Sequence, residues 1–166
     1  GPTSCLGGID FTHPNFALMC ARSGLGEGTR SFFYYSTDRC HSWQGPFWLP
    51  DYGQKGIEAR TDYLVDNDHT CTLFLTATKR NGQEGRVFCA RSTDGGAHFE
   101  MLSFIGEEPQ GFAIMPASLR LPSGQMLVAR RLRTPSRGNG GADNWIDFYS
   151  SDDDGGCGDL GYPCTV

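Results

Sequence analysis

The chain has 166 residues, 38% of them hydrophobic, which is enough for one domain with a substantial core. Its net charge of −5 gives no electrostatic reason to expect nucleic acid or an anionic membrane surface as a partner, and no apolar run is long enough to span a bilayer. The 23 glycines, 9 prolines and 12% aromatic residues, with little helical periodicity, favour an all-β fold of short strands and tight turns.

In chain order, apolar and aromatic runs alternate with turn-forming residues. Each run is a predicted strand, and the turns between them are short enough for antiparallel pairing. We expect the group between residues 58 and 105 to form the most regular sheet. The predicted strands are 16–22, 31–35, 47–49, 58–65, 70–78, 86–91, 99–105, 112–121, 125–133 and 145–149.

The seven cysteines contain no CxxC pair and no Cys/His spacing typical of a metal site. The glycine-rich stretch 24–28 lacks the lysine and following helix of a phosphate-binding loop, so we expect no metal and no cofactor. Cys20, Cys71 and Cys89 lie in apolar runs, which indicates buried thiols. Cys157 and Cys164 are close enough to pair across a loop, and the sequence leaves the compartment open.

The stretch from Ser92 to Phe99 lies between two predicted strands. Glycines adopt positive φ angles without strain at such a turn, and short Ser and Asp side chains cap free backbone N–H groups. We therefore predict a hairpin in which Gly95 or Gly96 has a positive φ and Phe99 is buried.

This frame of serine, aspartate, glycine and aromatic residue occurs three times, at nearly equal intervals. Its members are Ser36, Asp38 and Trp43 in the first copy, Ser92, Asp94, Gly96 and Phe99 in the second, and Ser151, Asp153 and Gly155 in the third. Each interval holds about four strands, as does a propeller blade. The spacing therefore predicts a repeat architecture.

The pattern S-x-D-x-G-x-x-W/F resembles the Asp-box, or BNR repeat, of sialidase-superfamily β-propellers. Cys40 replaces the glycine in the first copy, and Gly158 replaces the aromatic residue in the third. The resemblance implies a sialidase-like propeller with about three of an expected six blades present, in units at about 1–50, 51–106 and 107–166. The boxes are expected to cap turns and to take no part in catalysis.

Three blades do not close a ring, and both ends would expose unpaired strands. The chain is therefore either part of a longer protein that supplies the remaining blades or a unit that associates with copies of itself. Repeat units need neighbours to bury their faces. We favour the first explanation.

In propellers of this kind the Asp-boxes lie on the face away from the substrate. The functional face should then carry the first strand of each blade, where alternation places Glu58, Arg60 and Asp62 on one side. Such a row is either an ion-pair ladder that fixes the sheet or part of a binding site. The sequence leaves both explanations open.

Arginines form a second group of candidates. Arg120 lies in the corresponding strand of the next unit, and Arg80 and Arg133 lie near loops expected on the functional face. Residues 109–142 include five arginines and no acidic residue. Because a guanidinium donates two parallel hydrogen bonds to a carboxylate, this pattern favours an anionic ligand. We expect Arg60 and Arg120 to lie close together, opposite the Asp-boxes.

The resemblance implies an exo-α-sialidase type of glycoside hydrolase that acts on carboxylated sugars. Sialidases hold the sugar carboxylate with three arginines, attack with a tyrosine assisted by a glutamate, and use an aspartate as acid/base. On this basis Glu58 is the candidate tyrosine partner and Asp62 or Asp10 the acid/base. The candidate substrate-binding residues are Arg60, Arg120, Arg80 and Arg133.

No tyrosine of the chain matches the nucleophile of the family. The alternative is a non-catalytic Asp-box propeller that binds glycans or another protein. The expected partner is a carbohydrate, most simply an anionic sugar or glycan.

Overall fold

The computed structural model describes residues 1–134 and 141–152. Within these ranges the chain forms strands, turns and loops without any helix, so the all-β prediction is confirmed, and there is no helix that could span a membrane. The strands are β1 (Ala17–Arg22), β2 (Ser31–Ser36), β3 (Gln44–Trp48), β4 (Tyr63–Val65), β5 (Cys71–Thr78), β6 (Glu84–Ser92), β7 (Glu100–Phe104), β8 (Phe112–Arg120), β9 (Met126–Arg133) and β10 (Asn144–Ser151).

The strands form three antiparallel sheets that follow one another along the chain. The first sheet contains β1–β3, the second β4–β7 and the third β8–β10, each paired in chain order. The longest ladder in the second sheet runs from Cys71 opposite Ser92 to Thr78 opposite Glu84. We call the end of the sheets near Ser36, Ser92 and Ser151 the turn end and the opposite end the loop end.

The second sheet lies between the other two, and β5 contributes to both cores. All eight residues of β5 are buried. Leu73 and Leu75 pack with residues of the first sheet such as Phe33, whereas Phe74 packs with Val128 of the third sheet. This alternation follows from the two-residue period of a strand. It explains why β5 is almost continuously apolar, since both of its faces are covered.

The first strands of the three sheets meet along one edge. Side chains of residues 61–63 satisfy the free backbone N–H groups of their neighbours there. The hydroxyls of Thr61 and Tyr63 accept hydrogen bonds from β1, at Cys20 N (3.0 Å) and Leu18 N (3.4 Å). The Oδ1 atom of Asp62 accepts one from the β8 backbone at 3.3 Å. Successive sheets packed face to face with their first strands together form a β-propeller-like arrangement.

The turns at Ser36 and Ser92 have the same hydrogen bonds. In each, the serine Oγ donates to the Oδ1 of Asp38 or Asp94 (2.7 and 2.9 Å). Each serine Oγ also accepts from the backbone N–H four residues later, at 2.9 Å in both turns. The aspartate Oδ1 accepts from the N–H four residues after it, at 2.9 and 3.0 Å. Both side chains therefore act as turn caps.

The backbone of the two turns is also shared. Gly95 and Gly96 have φ angles of 69° and 90°, which confirms the prediction of a positive φ, and Phe99 is buried at 4% exposure. Arg39 and Cys40 occupy the corresponding positions with φ angles of 60° and 65°. These are left-handed conformations that a residue with a Cβ rarely adopts. The serine and aspartate caps thus hold the turn even where the glycines are missing.

The remaining residues of the first and third Asp-box copies differ from their counterparts in the second copy. Trp43 is 37% exposed, so the expected apolar plug is incomplete in the first turn. Ser151 is buried at the end of β10. Asp153 and Gly155, like Cys157 and Cys164, lie outside the described residues.

The predicted strand 58–65 is reduced to β4. Glu58 N donates to Thr76 O and Phe74 N donates to Asp62 O. The five residues from Glu58 to Asp62 therefore lie opposite only three residues of β5, from Thr76 to Phe74. The extra residues bulge out of the ladder. Such a bulge interrupts the strict alternation of side chains on which the expected row of charged residues depended.

The buried thiols expected from the sequence are present. Cys20, Cys71 and Cys89 are buried and free. Burial raises the pKa of Cys20 to about 12 and also raises those of the other two thiols. These cysteines therefore act as small apolar side chains of the two cores.

The caps lead to a prediction for stability. Burial alone would raise the pKa of Asp94, but hydrogen bonds from His98 and Ser92 outweigh it and lower the pKa to about 2. Replacing this residue (Asp94→Ala) should lower the free energy of unfolding by about 1 kcal/mol at pH 7. The control Thr93→Ala changes an exposed residue of the same turn and should have little effect. Urea unfolding measures both.

The same pKa shift predicts a pH dependence. A carboxylate whose pKa is lowered by folding stabilises the protein above its unfolded pKa of about 4, and this contribution is lost as the pH falls towards 2. Unfolding curves between pH 2 and pH 5 should therefore converge for the wild type and Asp94→Ala. A constant difference over this range would show that the carboxylate charge is not involved.

Candidate functional site

The loop end carries most of the candidate residues, and it is formed by the irregular segment 56–62, the loop 23–28, the loop 79–83 and the segment 106–111. Three groups there matter for chemistry, together with Asp62, which lies opposite the middle of β5. The three are the carboxyl group of Glu58 and the guanidinium groups of Arg22 and Arg60.

Glu58 is completely buried between the first and second sheets. Its Oε1 accepts hydrogen bonds from Gly26 N (2.8 Å) and from the Thr78 hydroxyl (2.5 Å), while its buried Oε2 has no partner. Burial raises the pKa of this carboxyl group, against the lowering effect of the two hydrogen bonds. A carboxyl group in such surroundings favours the neutral form, as a general acid requires.

Gly56 lies close to this carboxyl group. A Cβ at that position would approach Gly26 O to 2.5 Å and the Thr78 Oγ1 to 2.6 Å. Only a glycine lets the second sheet and the loop 23–28 come together this closely. Glu58 therefore lies at a tight junction that connects the two sheets.

Asp62 faces the third sheet. Its Oδ1 is 3.3 Å from Ser118 N, whereas its Oδ2 and the Ser118 hydroxyl are buried without a partner. Burial raises the pKa of Asp62, against the lowering effect of the hydrogen bond from the Ser118 backbone. Two buried polar atoms without partners, one just before β4 and one in β8, are costly to maintain.

Arg60 forms an ion pair with Glu84, and both side chains are less than one-fifth exposed. Arg22, at the end of β1, donates from Nη1 to Ala59 O at 3.0 Å. The Arg22 guanidinium therefore contacts the residue that precedes Arg60. The sequence analysis missed Arg22, although an arginine at the loop end of a first strand was an available signal.

The structure separates the expected row of charges. Glu58 points to the loop of the first sheet, Arg60 to Glu84, and Asp62 to the third sheet. The prediction that the three share one side of a strand is wrong, because the bulge between residues 58 and 62 breaks the alternation. A mutual ion-pair ladder is excluded for the same reason.

Two of the loop arginines are exposed at the loop end. Arg80 is exposed, and its backbone contacts Glu108 and Lys55. The Arg133 guanidinium lies 6.0 Å from the ring centroid of Phe112. Both side chains are accessible to a ligand.

Buried charges at this end have structural partners. Lys79 is 2% exposed, and its Nζ lies near the carbonyl oxygens of Pro109, Gln110 and Gly111. Arg130, which the sequence analysis counted in the arginine-rich stretch, is also buried and pairs with Asp147 at 2.8 Å. These two cations hold strands and loops in place.

Arg120 and Asp10 lie at the turn end. Arg120 closes β8, which runs from the loop end to the turn end, and it pairs with Asp66. The prediction that Arg120 lies close to Arg60 is therefore wrong. Asp10 is exposed and accepts hydrogen bonds from the backbone and hydroxyl of Thr12 at 2.9 and 2.7 Å. The structure does not bring it near Glu58 or Asp62.

A cavity of about 540 Å³ also lies at the turn end. Its lining is Gly8, Ile9, Asp10, Asp68, His69, Thr93, Asp94 and Gly95. In residues 1–134 and 141–152, no three His, Cys, Asp or Glu side chains are arranged to hold a metal ion. Asp94, which caps the turn at Ser92, lines this cavity, and none of the loop-end groups does.

The sequence matches no model of a known protein family and no curated protein. Among solved structures, it is similar to a protein of unknown function from Dyadobacter fermentans, with 17% identity and a TM-score of 0.61 over 84% of this chain and 45% of that one. It is also similar to an α-L-arabinofuranosidase from Fusarium graminearum, determined in complex with an iminosugar inhibitor. Here the identity is 16% and the TM-score 0.55, over 85% of this chain and 42% of that one.

These similarities show the fold alone. The chain shares with both structures an all-β, β-propeller-like fold, and it spans less than half the length of each.

The buried carboxyl groups predict a pH dependence of opposite sign to that of Asp94. Folding raises the pKa of Glu58, so the stabilising effect of the neutral form is complete below its unfolded pKa of about 4.3 and is lost as the pH rises. The variant Glu58→Gln should therefore gain stability relative to the wild type between pH 4 and pH 7. Chemical unfolding across this range measures the difference.

The exposed Glu107 supplies the control. Glu107→Gln should leave the pH profile of stability unchanged. If Glu58→Gln instead showed a pH-independent difference from the wild type, Glu58 would not titrate in the folded protein at a raised pKa.

Proposed function

We propose that this chain is part of a glycosidase-like β-propeller protein that binds a carbohydrate at its loop end. The observation that carries the proposal is the presence of two carboxyl groups, the buried Glu58 and the half-buried Asp62, each with one unpartnered oxygen and a raised pKa. The shared fold with an α-L-arabinofuranosidase supports it at the level of fold.

The proposed roles follow from the surroundings of each group. Asp62 is the proposed acid/base, because its Oδ2 has no hydrogen-bond partner and burial raises its pKa. A carboxyl group with a raised pKa is protonated over a wider pH range and can protonate a leaving oxygen. Glu58 is the proposed partner of a tyrosine nucleophile. No tyrosine of this chain matches that nucleophile.

The proposed ligand is a carboxylated sugar, as in an exo-α-sialidase. Arg60, Arg22 and the exposed Arg80 and Arg133 supply the positive charge at the loop end. Arg60 is paired with Glu84, so an anionic ligand would have to share its guanidinium group. A guanidinium has five donors, enough to contact both carboxylates. Arg120 takes no part in this proposal because it lies at the turn end.

Binding and hydrolysis test the proposal separately. The protein is titrated with N-acetylneuraminic acid and, in parallel, with the neutral sugar L-arabinose. It is also assayed on the 4-nitrophenyl or 4-methylumbelliferyl glycosides of both. We expect the acidic sugar to bind, and binding without hydrolysis would support the non-catalytic alternative. Binding of neither sugar would contradict the proposed carbohydrate site.

Arginine variants locate the site. Arg60→Ala should weaken binding of the acidic sugar by about 1.5–3 kcal/mol, because it removes hydrogen bonds to a charged group. The matched control is Arg120→Ala, which also breaks an ion pair with a carboxylate, that of Asp66, but at the turn end. It should leave the affinity unchanged. If Arg120→Ala lowered the affinity and Arg60→Ala did not, the ligand would bind at the turn end.

A further inference from the structure

Glu84 is a further carboxyl group of the loop end, and the sequence analysis did not select it. It begins β6, where it is the ladder partner of Thr78 in β5. The Thr78 hydroxyl in turn donates a hydrogen bond to Oε1 of Glu58. Glu58 and Glu84 are therefore both direct neighbours of the same threonine.

A bulge in β6 sets the direction of Glu84. Ala77 lies opposite Arg86, whereas Thr78 lies opposite Glu84, so β6 contains one extra residue there, Gly85. Gly85 has a φ of 134°, a conformation that favours glycine. A bulge of this kind changes the direction of the side chains that flank it.

The side chains on the two sides of the bulge form separate ion pairs. Glu84 pairs with Arg60, and both side chains are less than one-fifth exposed. Arg86 pairs with Glu108 at 3.6 Å, and its guanidinium lies 3.5 Å from the ring centroid of Phe104. Residues two apart in a regular strand point to the same side. The bulge therefore directs Glu84 to Arg60 and away from the surroundings of Arg86.

The pairing of Arg60 with Glu84 leaves Glu58 without an ionic partner among the described residues. The buried Oε2 atom of Glu58 accepts no hydrogen bond there, although Arg60 follows it by only two residues. A guanidinium has five donors and pairs strongly with a carboxylate. Burial is the main cause of the raised pKa of Glu58, and the nearby charge of Glu84 raises it further.

The other charged side chains around Glu58 are directed elsewhere. Glu27 and Lys55 are exposed and pair with each other at 3.5 Å. Arg22 donates to a backbone carbonyl oxygen at 3.0 Å, and Lys79 lies near the carbonyl oxygens of residues 109–111. In the part of the chain that the structure describes, the Arg60–Glu84 pair is therefore the charged group best placed to control Glu58.

We propose that Glu84 is a positioning residue of the loop-end site. By holding the Arg60 guanidinium, it prevents Arg60 from pairing with Glu58 and keeps the Oε2 atom of Glu58 unpaired. This role rests on the proposed function, in which Arg60 contacts an acidic sugar and Glu58 assists a nucleophile. Without the charge of Glu84, Arg60 would be released to Glu58, and a carboxyl group beside a free guanidinium ionises at a lower pH.

Carbon-13 NMR of protein labelled at the glutamate carboxyl carbons measures the titration of Glu58 directly. The chain has six glutamates, and Glu58→Gln identifies the resonance of Glu58. Glu84→Gln should lower the pKa of Glu58, because it removes a like charge and frees Arg60. Arg60→Gln should raise the pKa of Glu58, because the charge of Glu84 is then uncompensated.

The opposite direction of these two shifts distinguishes positioning from a structural role. If the Arg60–Glu84 pair only stabilised the fold, both variants would lower the free energy of unfolding and leave the pKa of Glu58 unchanged. An unchanged or raised pKa of Glu58 in Glu84→Gln would overturn the proposal. A lowered pKa of Glu58 in Arg60→Gln would do the same.

The double variant Arg60→Gln/Glu84→Gln separates the two effects of Glu84. If the released Arg60 pairs with Glu58, the pKa of Glu58 should be lower in Glu84→Gln than in the double variant. Equal values would show that Glu84 acts through its charge alone, and the positioning role would be wrong.

Two further variants serve as controls, and circular dichroism confirms that every variant is folded. Glu108→Gln removes the carboxylate of the other ion pair beside the bulge, whose side chains are similarly shielded at 23% and 27% exposed. It should leave the pKa of Glu58 unchanged. Glu84→Asp keeps the charge and should hold the pKa of Glu58 near its wild-type value. A shift in either control as large as that in Glu84→Gln would contradict the proposed role.

The NMR measurement needs no ligand, so it can fail independently of the proposed function. Titration of the wild type with N-acetylneuraminic acid tests that function in parallel. If the sugar does not bind but the two shifts are opposite, the proposed function is wrong and the control of Glu58 by Glu84 stands. If the sugar binds but the pKa of Glu58 does not respond to Glu84→Gln, the positioning role is wrong.

Discussion

The structure depends on the burial of both faces of the second sheet. A strand such as β5, with eight buried residues, is stable only when a sheet lies on each side, because each fully buried large apolar side chain contributes roughly 1.5–3 kcal/mol. This requirement fixes the first and third sheets relative to the second. It also brings their first strands together, where side chains of residues 61–63 satisfy the free edges of β1 and β8. The candidate site is a consequence of that convergence.

Strand positions could be predicted well because each depends on local sequence. Alternation and turn residues located all ten described strands to within a few residues, with β4 as the main exception. The turn at Ser92 was predictable in detail, since its caps join residues within a short stretch. The equivalent turn at Ser36 shows that Arg39 and Cys40 tolerate positive φ angles when the same caps are present. Propensity alone would not predict those conformations.

The site was less predictable, since it depends on contacts between distant parts of the chain. The bulge between Glu58 and Asp62 arises from a mismatch with β5, and no pattern within residues 58–62 reveals it. Arg120 was assigned to the wrong end because its strand is long, so its first and last residues lie at opposite ends of the sheet. Arg22 was overlooked because its importance comes from the carbonyl oxygen of Ala59, which belongs to another sheet.

The two ends of the sheets use carboxyl groups in opposite ways. At the turn end, Asp38 and Asp94 accept several hydrogen bonds in accessible turns, which lowers their pKa and keeps them charged. Away from the turns, Glu58 is buried and Asp62 is half-buried, with fewer donors than acceptor sites, and burial raises the pKa of both groups and favours protonation. The first arrangement stabilises the fold at neutral pH, whereas the second opposes it. A protein retains such a cost most readily where the unsatisfied groups serve binding or proton transfer, which is why the proposed site is placed at these carboxyl groups and the turns are given a structural role.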